Sequence, residues 1–518
     1  MVRPDRTRSD GAARQHRSGL DHRTLAITFA AFAAFAGLVA VFSGGDDGIW
    51  GAWAACGYGV TAIAVWRWPD SLTAILPALI FGLAAPLAWL ALRAPVTPDV
   101  GTVTRSAILL LHHGSPYLPK GQLVSWKDYN PYLPAMTAFG LPKAAGLPGL
   151  LGDPRPWLAV ASAAVFAVAF SLGMPHRTRR CASCRGDVLR YAVLAVASPI
   201  CALSLAVGIT DPPLLALMCL ALALTARRSQ PTLAGLAIGV ACAMKAIAWP
   251  ALPVIAAMLA SRDGTRAAAR FCIASVVTAA ALVVAMAPAL LTRRSGFLEN
   301  TVLFPLGATP QHTPAASPLP GHLLAVTGPA GHAAAIGLLV VAALAVAASL
   351  VVRPPADTRA ATWRLAIGLA LLFALAPDAR FGYFAYPAAL VGWLAITGRA
   401  RAAAAGTAAP EAATAPAAAT VATAAESTAE SIATEITATG GTVAGGTVAE
   451  TSAAEATTAG TATVGTAAQG ARGTARGVTP RPVLNLLLPA LGLATRVRLR
   501  WRRRWRSRPA AGSASGRG

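Results

Sequence analysis

Asp99 is the first residue of this chain placed to do chemistry. It follows the apolar run Leu72–Leu92 by only a few residues, so it can stay ionised at a membrane surface while facing a protein cavity. That placement suits a general base. The loop it opens reads PDVGTVTRSAILLLHHGSPYLPKGQLVSWKDYNPYLPAMTAFGLP from Pro98. Within it Arg105–His113 has the pattern of a short amphipathic helix lying on the membrane, and the prolines of NPYLP break any regular helix, so a shaped cleft is expected there. Other groups of chemical interest are Asp211 in GITDPP, Lys245 inside ACAMKAIAW, Arg380 in APDARFGYFAYP, and His312 and His322 in the proline-rich stretch that begins at Glu299. Tyr117, Tyr129 and Tyr132 add aromatic faces. Metal and nucleotide chemistry leave little trace. Cys181 and Cys184 form one CxxC without a second pair, and no P-loop or Rossmann glycine pattern is evident, so neither a metal nor a cofactor is expected.

The elements that must hold these groups are read from composition. The chain has 518 residues, 55% of them hydrophobic and only 13% charged, with a mean hydropathy of +0.56. Its solvent is lipid. A bilayer core of about 30 Å takes about 20 apolar residues per helix, and runs of that kind number about a dozen. The expected fold is therefore all-α, a polytopic transmembrane helical bundle of about 12 spans. The runs are Thr24–Phe42, Trp50–Trp66, Leu72–Leu92, Trp157–Gly173, Tyr191–Val207, Pro213–Ala226, a hairpin over Thr232–Ala260 broken at Lys245, Phe271–Leu291, His332–Val352, Trp363–Ala376 and Phe384–Thr397.

The net charge of +23 comes from arginines at both chain ends and in alternate loops. That distribution marks cytoplasmic faces, so the basicity is topological and no nucleic-acid partner is expected. With both termini in the cytoplasm of a plasma-membrane protein, Arg67, the His176–Arg190 segment, Arg227–Arg228, Arg262–Arg270, Arg353–Arg364 and Arg399–Arg401 share the inner side. Asp99, Asp211, Lys245 and Arg380 share the outer one. The domain map is then a basic N-terminus over 1–23, the membrane body over 24–398 with long external loops at 94–156 and 292–330, a disordered Ala/Thr/Gly-rich linker over 399–480, and a tail over 481–518. The tail carries RVRLRWRRRWRSR, which fits a segment resting on anionic membrane lipids.

Asp99, GSPY at Gly114–Tyr117 and DYNPYLPAMTAFGLP at Asp128–Pro142 together resemble the first external loop of GT-C superfamily glycosyltransferases. The likeness is to the family-87 α-mannosyltransferase-like proteins. GITDPPLLALMCLAL from Gly208, AGLAIGVACAMKAIAWP from Ala234 and APDARFGYFAYPAAL from Ala376 agree in order and side. The resemblance implies inverting transfer of a sugar, mannose as the first expectation, from a polyprenyl-phosphate sugar donor to an envelope glycolipid or glycan acceptor. It makes Asp99 the base, Lys245 and Arg380 the groups that bind the donor phosphate, and Tyr117, Tyr129, Asp211, His312 and His322 substrate-binding residues. A lysine in a span costs about 2.5–3.5 kcal/mol on insertion scales, and phosphate binding would be a reason to retain Lys245. The base here follows the third run rather than the first, so an extra N-terminal hairpin is implied, and no second acidic residue near the base is evident.

Each assignment has an ordinary alternative. Asp99 can be a solvated helix-flanking carboxylate, Lys245 can snorkel from a turn, and Arg380 can pair with Asp378 or Asp211. Asp211 can cap the helix that its prolines begin, the tyrosines can be interfacial anchors, and either histidine can be an ordinary loop residue. At the level of the whole chain the alternatives are a transporter or lipid-linked-sugar flippase, and an inactive scaffold. A transporter favours internal repeats and ionisable residues near mid-membrane, whereas these charges gather at one surface.

Overall fold

The structure, a computed structural model, describes residues 22–404 except 70, 95, 174–189, 227–229, 292–294, 312 and 314. The basic N-terminus, Cys181, Cys184, His312, most of the expected linker and the whole tail lie outside the described residues. Helices run over α1 (His22–Phe42), α2 (Gly45–Arg67), α3 (Leu72–Arg93), α4 (Pro98–His113), α5 (Pro154–Gly173), a bent α6 (Arg190–Val196 and Pro199–Val207), α7 (Asp211–Thr225), α8 (Pro231–Met244), α9 (Ala251–Arg262), α10 (Thr265–Met286), α11 (Pro329–Val352), α12 (Thr358–Leu375) and α13 (Ala385–Ala404). Among the described residues the only β-type pairing is one isolated bridge. The all-α transmembrane architecture is as expected.

The expected count of about 12 spans is not confirmed. Among the described residues, eight helices are long and apolar enough to cross a membrane, nine if bent α6 is one span. The other apolar runs become the short helices α7, α8 and the segment ending in α9, each cut by proline or by Lys245 to less than the about 20 residues that a bilayer core requires. α7 is buried on nearly every face and packs against α5 and α8, which makes it the centre of the bundle. α10 and α11 instead expose Ile273, Val277, Val341 and Leu344 outward, as lipid-facing helices do.

Breaks in the spans are satisfied locally, as backbone in lipid must be. Pro86 supplies no N–H to the Gly82 carbonyl, and the indole of Trp50 donates to it at 2.9 Å. Pro199 likewise orphans the Ala195 carbonyl, which takes the Ser198 hydroxyl at 2.7 Å, while buried Tyr58 donates to the Ala197 carbonyl at 2.6 Å. The 54° bend of α6 thus leaves these carbonyls bonded.

Helix ends sort into two sets. On one, Arg190 donates to Pro69 O at 3.0 Å, Arg262 bonds Thr225 O and pairs with Asp263, and Ser261 reaches Pro355 O at 3.0 Å. Arg364 on the same set holds the α11 C-terminus through Ser349 O at 3.1 Å. The other set carries both long loops, Asp211, Lys245 and the Pro377–Phe384 turn.

Candidate active site

The NPYLP segment is fixed before it meets the site. Asn130, buried, accepts from Tyr132 N at 3.0 Å across Pro131 and donates to Ser106 Oγ of α4 at 2.9 Å. Its own N–H donates to Asn300 Oδ1 at 2.7 Å, and Asn300, fully buried, donates to Gly296 O at 2.8 Å. Two asparagines thereby lock the two long loops together. Leu133 N donates at 2.9 Å to Met244 O, a carbonyl that α8 leaves open where it stops at Lys245. The Tyr117 hydroxyl donates to Tyr132 O at 2.9 Å. The backbone of Tyr132 is therefore held from three directions.

Its side chain reaches two charged groups. The Tyr132 hydroxyl donates to Asp99 Oδ1 at 2.5 Å, in the first turn of α4, where the helix N-terminus favours negative charge. Burial and the neighbouring Asp99 charge both push the Tyr132 phenol well above its usual range, so it remains a donor. Asp99 Oδ2 has no hydrogen-bond partner among the described residues. On the other side, Lys245 Nζ lies 5.5 Å from the Tyr132 ring centre and 5.4 Å from that of Tyr383, and it pairs with Asp211 Oδ1. Lys245 is extended in backbone between α8 and the turn that leads to α9, while Asp211 opens α7 ahead of two prolines that need no N–H partner. Four separated segments thus meet on one carboxylate, one phenol and one ion pair.

The second loop positions the rest. Ala316 bridges Ala379, Ser317 N donates to Ala379 O at 3.1 Å, and Phe381 N donates to Ser317 Oγ at 3.2 Å. This fixes the turn that carries Arg380, which is exposed and near enough to Tyr383 for its charge to act there. His322 Nδ1 donates to Pro377 O at 2.8 Å and lies 4.0 Å from Asp378 Oδ1, so neutral His322 keeps Nε2 as an acceptor.

Of the residues expected from sequence, Asp99, Asp211 and Lys245 are brought together, with Arg380 at the edge and His322 behind its turn. Tyr117 and Tyr129 are placed differently. Both are buried; Tyr117 supports the Tyr132 backbone and packs edge-on to Phe297, and Tyr129 stacks on Phe304 at 4.3 Å. Asp128 caps its own turn through Ser125 N at 2.7 Å, and Asp153 accepts from Arg155 N at 2.8 Å.

Sequence reasoning missed four residues. Thr210 and Tyr386 are each 1% exposed, the Tyr386 hydroxyl against Asp211 and the Thr210 hydroxyl against that of Tyr132. Tyr383 flanks Lys245. Arg155, also 1% exposed, stands at the start of α5 with Nε 3.6 Å from Asp153 and Nη1 unbonded. The spacing of Arg380, Tyr383 and Tyr386 at i, i+3 and i+6 could have shown the two tyrosines on one helical face. Pro154-Arg155-Pro156 before a span reads only as a flanking charge. Among the described residues no group of three or more His, Cys, Asp or Glu could hold a metal ion.

Residues 132–377 match the model of glycosyltransferase family 87. The match begins at Tyr132 and takes in Asp211, Lys245, His312 and His322, while Asp99, Tyr117, Tyr129 and Arg380 fall outside it. Comparison with curated proteins gives no match, and neither does comparison with solved structures. Multiple span-length helices lie in and around the matched segment, which holds Tyr132, Asp211 and Lys245, and it is residues 132–377, just under half of the chain, that carry the pattern of glycosyltransferase family 87 and assign it as a membrane glycosyltransferase.

Proposed function

We propose that this enzyme moves a sugar, mannose before others, from a polyprenyl-phosphate donor to a hydroxyl of an envelope glycolipid or glycan at the extracytoplasmic face of the plasma membrane, with inversion. The observation that carries the reading is the convergence of Asp99, held by Tyr132, with the Lys245–Asp211 pair at one end of the bundle. Asp99 Oδ2 takes the proton of the acceptor hydroxyl as its oxygen bonds to the anomeric carbon. The bond from that carbon to the phosphate oxygen breaks, and the electron pair leaves with the lipid phosphate. Lys245 and Arg380 are the cations that meet the charge building there. Absence of a nucleotide-binding motif and the apolar surroundings favour a lipid-linked donor. In this reading Asp211 and His322 bind sugar or acceptor hydroxyls, and His312 serves the same loop.

The test is transfer of radiolabelled sugar from polyprenyl-phosphate mannose to membrane acceptors, comparing wild type with Asp99→Asn at matched expression. General-base catalysis contributes about 10²–10⁴-fold, and a loss of that size in kcat with substrate binding retained is expected. Wild-type membranes that transfer none of several lipid-linked sugars would overturn the donor assignment. Transfer undiminished in the variant would remove Asp99 from the mechanism.

A further inference from the structure

We propose that the lipid-facing side of α2 and α3 is a binding site for one anionic phospholipid, drawn from the leaflet at the Asp99 end of the bundle. Its phosphate rests on Arg93 and one acyl chain lies along the rings of Trp89, Trp53 and Phe81. The site stands apart from the transfer reaction and does not depend on which sugar, donor or acceptor the enzyme uses.

The three rings form a continuous ladder. Trp53 of α2 stacks on Phe81 of α3 with ring centres 6.1 Å apart and planes at 15°, and it meets Trp89 at 6.4 Å. Phe81 and Trp89 are 38% and 45% exposed, so the ladder lies open to the surrounding lipid. Local sequence builds it. Gly57 lets α3 come close, since a Cβ there would lie 2.6 Å from Phe81 Cβ. A single widened turn over Ile80–Ala84 interrupts α3 at the same place, a feature that recurs at functional sites. Arg93 ends α3 above the rings. It is exposed, its guanidinium lies 5.3 Å from the Trp89 ring centre, and it pairs with no carboxylate among the described residues.

Depth and charge decide the occupant. At about 1.5 Å of rise per residue, Trp89 lies about 6 Å and Phe81 about 18 Å below Arg93 along α3. One leaflet's share of the hydrocarbon core is about 15 Å, so the ladder runs as deep as one acyl chain. Interfacial preference accounts for Trp89, and the helix dipole favours a cation at Arg93. Neither accounts for Trp53 and Phe81, which lie below the headgroup level where aromatic belts form. The guanidinium at the top offers paired N–H donors to phosphate oxygens. A zwitterionic head would bring its own cation to Arg93, whereas a net anionic head brings none, so charge complementarity selects the anionic lipid.

The experiment titrates the full-length protein, delipidated in detergent, with phosphatidylglycerol and separately with phosphatidylcholine, and counts bound lipids by native mass spectrometry. Wild type, Arg93→Gln, Trp53→Leu and Trp89→Leu are compared. Wild type is expected to hold its first phosphatidylglycerol about fivefold more tightly than its first phosphatidylcholine, the size of one arginine's attraction to an anionic head. Arg93→Gln removes that preference and leaves phosphatidylcholine binding unchanged. Each tryptophan variant weakens both lipids alike, by about threefold, as loss of a stacked ring does. Charge thus sets selectivity and the rings set affinity, a division that ordinary interfacial anchors do not show. Equal affinity of wild type for the two lipids overturns the proposal, as does a preference that survives Arg93→Gln or tryptophan variants that bind as wild type does. Should Trp53→Leu loosen the packing of α2 on α3, the more exposed Trp89→Leu decides for the rings. Displacement of the first phosphatidylglycerol by equimolar polyprenyl phosphate makes the ladder a donor site and also overturns the phospholipid assignment. Sugar transfer enters none of these readouts, so the catalytic reading stands or falls separately.

Discussion

At residue scale, Tyr132 holds the carboxylate proposed as the base. Its hydroxyl occupies Asp99 Oδ1 and leaves Oδ2 to other partners, while its ring faces the Lys245 ammonium. A hydrogen bond to a charged group contributes about 1.5–3 kcal/mol, so Tyr132→Phe is expected to lower kcat by about 10- to 100-fold while the ring stays in place. Transfer assays paired with thermal melts in detergent check this. A melt shifted as far as the rate would mean that the hydroxyl serves folding rather than the base. Tyr117 and Tyr129 brace the loops, the first through its hydroxyl on Tyr132 O and the second through its ring on Phe304.

At the scale of elements, the site depends on how α6 ends against α4. Gly208 closes α6 with φ of +100°, a conformation that side-chain-bearing residues rarely adopt, and a Cβ there would run into Val100 one residue from Asp99 and lie 3.2 Å from Arg155 Nε. Left-handed backbone costs an L-residue about 1–2 kcal/mol, and forcing a methyl into filled space adds about 1–3 kcal/mol. Gly208→Ala is therefore expected to lower the melting temperature and to displace the first turn of α4, with a loss of transfer larger than stability alone explains. The measurement is activity at a temperature well below the variant's own melt. Full activity there would show that α4 tolerates the shift.

For the whole molecule, the two sets of helix ends predict sidedness. Val124, exposed in the first long loop, and Arg266, exposed at the start of α10, belong to opposite sets. In a cysteine-free background, Val124→Cys in intact cells should react with a membrane-impermeant maleimide and Arg266→Cys should react only after lysis, as the distribution of arginine requires. The reverse pattern would place the candidate site on the cytoplasmic side and exclude an extracytoplasmic acceptor. Arginine also does structural work on its own side, since Arg190, Arg262 and Arg364 each close carbonyls at helix ends.

The sequence by itself determined that the chain is a helical membrane protein, where most of its spans lie, and that Asp99, Asp211, Lys245 and Arg380 share one end of it. Those conclusions rest on local quantities, the length of apolar runs and the placement of charge, which survive without knowledge of packing. The number of full spans was not legible. An apolar run that proline or Lys245 divides into short helices has the same hydropathy as an unbroken one, and only neighbours such as Trp50 and Tyr58 show how the freed carbonyls are bonded. Nor could the sequence say which tyrosine touches the base. Tyr117, Tyr129 and Tyr132 lie in one loop with similar surroundings, and tertiary contacts alone turned one toward Asp99 and two into the loop core. Pairing of Lys245 with Asp211 across 34 residues, and the placing of Tyr386 against the same carboxylate, are likewise products of helix packing, because hydrogen bonds between distant segments exist only once the bundle has closed.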